Sequence, residues 1–300
     1  MVDRPLDPAG GTGPFDDLPD GAPDRSSGPR RRGGRNLPAA VTVGVLLLAA
    51  VAASLWFRPE PFVLLAVVAV GAALWELREA FARRDIRIPL LPLLVGGAGM
   101  LVSAYAAGPE ALLVAFVLTV AAVVVWRVLD GPGPQALRDA AAAVFAATYV
   151  PFLAGFVLLI LAEPRGELRV ALFILLAVAN DTGGYIAGVT LGRHPLAPSV
   201  SPKKTWEGLV GSLVLTSAVG VAGAVLVLDA SPLLGLALGV LTAVTATVGD
   251  LAESLVKRDL ELKDMGSLLP GHGGVLDRLD SMVVTAPFVY LAFAVATTAG

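Results

Sequence analysis

Three polar segments interrupt the second half of an otherwise apolar chain, and their side chains are of the types that handle phosphate and divalent metal. The longest, SLVKRDLELKDMGSLLPGHGGVLDRLDS (Ser254–Ser281), carries nine charged residues and four glycines in 28 positions. If the helix before it runs past Asp250, then Asp250, Glu253, Ser254 and Lys257 fall at i, i+3, i+4, i+7 and line one face. Leu251, Leu255 and Leu262 turn elsewhere, and Asp259 and Glu261 read as solvated surface. At MGSLLPGHGG the helix must stop, because Pro270 and the glycines punctuate the chain. VLDRLDSM then opens the last apolar run, with Asp277 and Asp280 at i, i+3 on one face. A glycine-rich turn at a helix start suits an anion through its free backbone amides, yet aspartates there would repel phosphate. A divalent cation resolves the conflict: carboxylates hold Mg²⁺, and Mg²⁺ bridges to phosphate oxygens.

The second segment, NDTGGYIAGVTLG (Asn180–Gly192), places Asp181 midway along an apolar run. An ionised carboxylate there costs at least about 2.5–3.5 kcal/mol, so it needs a wet cavity, a cation or a partner. Gly184, Gly188 and Gly192 share its helix face; close helix packing accounts for Gly188 and Gly192, but not for Asp181. The third segment, SPKKTWEG (Ser201–Gly208), sets Lys203 and Lys204 beside the hydroxyls of Ser201 and Thr205. Two lysines at a membrane boundary are ordinarily topology signals. Beside carboxylates they become a candidate phosphate clamp. Together the segments predict a cytoplasm-facing, magnesium-dependent phosphoryl or nucleotidyl site. The chain has no G-x-x-x-x-G-K-[ST], G-x-G-x-x-G or H-E-x-x-H, so a standard ATPase, dinucleotide site or zincin is not indicated. His272 lies between glycines without a nucleophile elbow or an orienting partner, which argues against a Ser-His-Asp hydrolase. His194 and His272 are too far apart for a local zinc motif, and the absence of cysteine excludes thiolate chemistry and disulfides.

The elements that must position these groups are membrane spans. The chain of 300 residues is 56% hydrophobic and 16% charged, with a mean hydropathy of +0.77; soluble proteins average about 25% charged residues. Its apolar residues come in blocks of about 18–22, the length that crosses a bilayer core of roughly 30 Å. About nine transmembrane helices are expected, near 39–57, 61–77, 90–107, 111–129, 140–162, 170–192, 208–229, 232–250 and 282–299. The fold class read from this is an all-α polytopic membrane protein, with the catalytic half at about 170–300. Residues 1–37 contain seven Gly and six Pro, a share above the ~25–30% that marks low-complexity disorder. With Arg30, Arg31, Arg32 and Arg35 just before the first apolar block, they read as a disordered cytoplasmic tail leading into an uncleaved span. The membrane domain is then 38–300. Counting from an inside tail, the cytoplasmic connections hold thirteen Lys/Arg against three on the other side. Trp56, Trp75 and Trp126 lie at span ends, and Glu76 and Arg78 read as charges snorkelling at the end of the second span. A net charge of −3, without a basic face carrying interleaved aromatics, gives no sign of a nucleic-acid partner.

Ser254, Lys257-Arg258, Lys263-Asp264, Gly266, Pro270, His272-Gly273-Gly274, Asp277-Arg278 and Asp280 together resemble the signature of the phosphatidate cytidylyltransferase (CDP-diglyceride synthetase) family, without departure. SPKKTWEG, the DTGGY of Asp181–Tyr185, and Gly249-Asp250 before Glu253-Ser254 are similar to the family too. Asn180 stands where a small residue is more typical and is assigned no role. The resemblance covers roughly residues 177–285. It implies a nucleotidyltransferase of phospholipid biosynthesis in the plasma or inner membrane, converting CTP and phosphatidic acid to CDP-diacylglycerol and pyrophosphate. It also implies a homodimer. Asp250 and Asp277 would be Mg²⁺ ligands, with Asp181 and Asp280 as further ligands or supports and room for a second cation. Lys203, Lys204, Lys257, Arg258 and Lys263 would hold the triphosphate or the lipid phosphate, with Ser201 and Thr205 as phosphate or metal contacts. Arg278 would neutralise departing pyrophosphate. His272, with Gly273 and Gly274, would position a phosphate or stiffen the loop.

Two other readings stay open on sequence. A CTP-dependent lipid-alcohol kinase would transfer the terminal phosphate and release CDP. A secondary transporter would also explain Asp181 and the glycine-broken sixth span, but it should place polar residues near the midplane in matched halves. A scaffold acting through the tail would not explain the strip.

Overall fold

Apolar runs about twenty residues long can satisfy their backbone in hydrocarbon by forming helices, and the computed structural model of the chain is built accordingly. It describes residues 37–266, 268 and 273–298. The tail up to Asn36, and with it the arginine cluster, lies outside the described residues, as do Pro270 and His272.

Among the described residues nine α-helices follow in order: α1 Leu37–Phe57, α2 Pro59–Ala82, α3 Leu90–Leu129, α4 Ala136–Ala147, α5 Leu153–Ala162, α6 Gly166–Leu191, α7 Trp206–Leu226, α8 Pro232–Asp259 and α9 Leu276–Thr298. They do not map one to one onto the nine expected spans. The spans read at 90–107 and 111–129 are joined in α3, whose 40 residues make about 60 Å of helix, twice the hydrocarbon thickness. Gly108, at φ 82° and ψ −168°, breaks it just before Pro109, so two helical halves meet with no loop between them. Conversely, α4 and α5 form one run through a π-turn at Thr148–Phe152. Pro151 lies in this turn and lacks the amide that a regular α-helix would use there. Seven bodies among the described residues are long and apolar enough to cross a membrane, counting α3 once and Ala136–Ala162 once. The chain is therefore a helical, multi-pass membrane protein.

One feature departs from an all-α body. The connection between α6 and α7 folds as a hairpin of β1 Pro195–Ala197 and β2 Ser201–Thr205, antiparallel, with Pro195 opposite Thr205 and Ala197 opposite Ser201. Its base is tied by His194, whose carbonyl accepts from the Trp206 amide at 3.0 Å and whose Nδ1 lies 2.6 Å from Glu207 Oε1.

The core contains the fully buried Leu74 and Leu77 of α2, Leu93, Met100 and Leu101 of α3, and Leu158 of α5. The second half is held differently, by seams of small residues that let backbones touch. A Cβ on Gly183 of α6 would lie 2.5 Å from the Gly211 carbonyl of α7, and one on Gly220 of α7 would overlap the Gly235 carbonyl of α8. With lipid as apolar as leucine, such close packing and hydroxyl bonds across helices replace the hydrophobic drive. Ser212 Oγ donates to the Asn180 carbonyl at 2.7 Å, and Thr216 Oγ1 to the Gly239 carbonyl at 2.9 Å. Thr245 Oγ1 meets Thr285 Oγ1 at 3.1 Å between α8 and α9. The seams fix the mutual depth of α6, α7, α8 and α9, which carry the charged groups.

Candidate active site

Asp181 of α6, Lys203, Lys204 and Thr205 of β2, and Asp250 of α8 converge on a cavity of about 390 Å³. Gly184, Gly188 and Gly208 leave its floor free of side chains. Gly184 is packed tightly, its Cβ position 2.7 Å from Ser212 Oγ, whereas Gly188 has only an ordinary 3.5 Å neighbour in Thr205 Oγ1. Both glycines border the cavity; the close approach of another helix requires a small residue at Gly184 more strictly than at Gly188. Lys204 Nζ forms an ion pair with Asp250 Oδ2 across the space. Asn180 Nδ2 donates to Asp181 Oδ1 at 3.2 Å, so the residue given no role on sequence orients the membrane-embedded carboxylate. Thr205 has a structural task as well: its hydroxyl accepts from the Gly208 amide at 3.1 Å and caps α7.

Lys203 also borders a second cavity of about 380 Å³, lined by Ser201, Ser254, Lys257, Arg258 and Lys263. Among the described residues this lining has four cations and no carboxylate. Arg258 is steadied by donating Nε–H to the Val200 carbonyl at 3.1 Å. The continuation of α8 to Asp259, which the sequence argument required, brings Ser254, Lys257 and Arg258 here. An acidic-and-basic chamber and a purely cationic one therefore meet at Lys203.

Asp277 borders neither. Behind the cationic cavity, Lys257 Nζ lies 2.7 Å from Asp277 Oδ1 and 2.5 Å from Glu253 Oε2. Asp277 also accepts from the Met265 amide at 3.1 Å and from the Gly274 amide at 2.8 Å. Gly274 thus has its donor committed to the protein, and Gly273, at φ 84°, makes the turn that delivers it. Asp280 is buried beside Glu253 and accepts from the Ser281 amide at 2.6 Å. Asp250 is close enough to act electrostatically on both Asp181 and Asp280. Arg278 reaches Asp181 electrostatically but lines a separate apolar cavity.

The reading of Glu76 as a snorkelling charge is overturned. Glu76 is 1% exposed, and its carboxylate accepts from the Leu276 amide at 3.0 Å and the Leu268 amide at 3.4 Å. Gly266 and Gly274 enclose it so tightly that a Cβ on either would collide with its carboxylate. The anion that the start of α9 attracts is thus the protein's own Glu76, as the dipole and free amides favour. The signal was an acid inside the apolar LWELREAF segment. Arg78 fits the interfacial reading: it is exposed and pairs with Glu79 at 2.8 Å.

Among the described residues no group of three or more His, Asp or Glu is arranged to hold a metal. Mg²⁺ does not need one, since it commonly takes one or two carboxylates and completes its shell with water and substrate phosphates. The donors present are hard oxygens, and the carboxylates of Asp250 and Asp277 are each paired with a lysine.

A family described as the cytidylyltransferase family matches residues 38–296. The phosphatidate cytidylyltransferase of Mycobacterium leprae is 39% identical over 270 residues, covering 85% of this chain and 86% of the relative. That of Mycobacterium tuberculosis (strain H37Rv) is 36% identical over 289 residues, covering 92% and 88%. A phosphatidate cytidylyltransferase of Synechocystis is 46% identical over 128 residues, or 42% of this chain and 43% of its own. With this match along nearly the whole membrane body, the chain belongs to the cytidylyltransferase family.

Proposed function

We propose that the protein transfers the cytidylyl group of CTP to phosphatidic acid, giving CDP-diacylglycerol and pyrophosphate. The observation that carries this reading is the meeting, at Lys203, of a chamber with two carboxylates and a chamber with four cations. Joining two polyanions demands both kinds of surface. A phosphate oxygen of phosphatidic acid attacks the α-phosphorus of CTP, a new P–O–P bond forms, and the bond to the β-phosphate breaks to release pyrophosphate. The lipid phosphate, with a second pKa near about 6, is already largely ionised and needs little help from a base. Positioning and charge neutralisation therefore carry the catalysis.

In this reading Lys203, Lys257, Arg258 and Lys263 grip the triphosphate, with Ser201 at its edge. Asp250 and Asp277 would hold Mg²⁺, supported by Asp181 and Asp280. Mg²⁺ held there would supply neutralisation of the charge that develops on the phosphates. Lys204 and Lys257, which pair with Asp250 and Asp277, would turn to phosphate when the nucleotide arrives. Arg278 sits next to Asp277 to meet the lipid phosphate or the departing pyrophosphate. His272 and Gly273 would shape the loop beside it. The positive-inside bias supports a site facing the cytoplasm, an inside tail, and residence in the cell membrane; family resemblance supports a homodimer.

CTP labelled at the α- or γ-phosphate tests the reaction. Purified protein with Mg²⁺ and phosphatidic acid should put the α-label into lipid and the γ-label into pyrophosphate. A γ-label in lipid with release of CDP would establish the kinase reading instead, and substrate uptake by proteoliposomes without CTP would favour a transporter.

A further inference from the structure

A third cavity, of about 350 Å³, shares no lining residue with the charged chambers. Its wall is formed by Leu48 and Val51 of α1, Phe62, Ala66 and Ala69 of α2, Ala154 and Leu158 of α5, and Met282 of α9. Every lining side chain is apolar except one, Arg278. That volume falls within the 300–1,000 Å³ of small-molecule sites, which pair an apolar lining with a few placed polar groups. A guanidinium at the border of an otherwise apolar cleft, one residue beyond Asp277, matches one kind of ligand: an anionic head joined to a hydrocarbon tail, since its five N–H donors can serve more than one partner. Ile174 of α6, the helix that carries Asp181, also lines the cleft, so one helix borders both the cleft and the first charged chamber.

We propose that this cleft holds an acyl chain of the phosphatidic acid substrate, with the lipid phosphate on Arg278 and directed toward the Asp181–Asp250 chamber. The proposal rests on the transfer reaction above and adds where the lipid enters. Helices α1 and α2, which contribute nothing to the lining of the two charged chambers, would then be the lipid-selecting wall. The chain would lie along α2 at Ala66 and Ala69, where two small side chains keep the cleft open.

Filling the cleft tests this. Ala69→Trp and the milder Ala66→Leu should raise KM for dioleoyl phosphatidic acid about tenfold or more, the scale on which pockets read chain size. KM for CTP should stay within about twofold, and dihexanoyl phosphatidic acid, too short to fill the cleft, should be affected far less. Equal losses with both lipids, or no change with either in a folded Ala66→Leu protein, would overturn the proposal. If the wild-type protein makes no cytidylyl lipid from either substrate, the transfer reaction fails; if wild type is active and the variants behave like it, only the cleft assignment fails.

Discussion

Asp250 and Asp277 differ in their surroundings in a way that residue type alone does not convey. Asp250 borders an open chamber and is paired with one lysine, whereas Asp277 is held by Lys257 and two backbone amides. Removing charge from either should abolish lipid-dependent turnover: Asp250→Asn and Asp277→Asn are expected to lose at least about a hundredfold in kcat, as for other electrostatic groups at a reacting centre. Thermal unfolding should show Asp250→Asn to be folded like wild type, with Asp277→Asn less stable because it also loses a buried ion pair. Wild-type-like turnover in both would sink the metal assignment. Glu76 makes a different prediction. Glu76→Ala leaves the amides of Leu268 and Leu276 without their acceptor, at about 1–3 kcal/mol each. Glu76→Gln keeps an acceptor, so it should retain clearly more activity than Glu76→Ala and the same KM for CTP. If the two variants fail equally, the negative charge itself, rather than hydrogen bonding to the loop, is what matters. Asp181, Lys203, Lys204 and Asp250 were legible because charge inside an apolar chain needs a reason. The burial of Glu76 was not, because it depends on contacts 192 and 200 residues away in sequence; nor was the environment of Asp277, which depends on how the irregular segment after α8 folds back to bring the Met265 and Gly274 amides onto it.

At the scale of elements, the glycine seams do the positioning. Gly211→Leu would drive a side chain into the Gly183 carbonyl and Ala187, separating α6 from α7 and with them Asp181 from Lys204. Overpacking of this kind costs about 1–3 kcal/mol, and should appear as a lower midpoint of thermal unfolding together with lost activity. Gly99→Ala is the matching control, since nothing lies within 4 Å of its Cβ position and alanine favours helix. An unchanged Gly211→Leu protein would show that the seam is slack. The helices were readable from apolar runs of sufficient length, and the run of α8 past Asp250 from the spacing of its polar face. Their divisions were less so. Gly108 turns the chain without ending helical hydrogen bonding on either side, and Pro151 is absorbed by a π-turn. The β-hairpin ahead of α7 is too short, at three and five residues, to leave an alternating pattern.

For the whole molecule, the charge asymmetry of the connections predicts that the charged chambers face the cytoplasm. The chain has no cysteine, so single substitutions can report sidedness. In intact cells a membrane-impermeant maleimide should label Arg58→Cys and spare Arg83→Cys until the membrane is opened; both positions are exposed at opposite ends of α2. The reverse pattern would place the charged chambers on the side away from cytoplasmic CTP. The proposed transfer takes place where carboxylates and cations meet at Lys203. The most direct test is pyrophosphate release by purified protein given CTP and Mg²⁺, measured with and without phosphatidic acid, for wild type and Asp250→Asn. Release that requires the lipid and disappears in the variant is the predicted result; release that ignores the lipid, or persists in the variant, would contradict it.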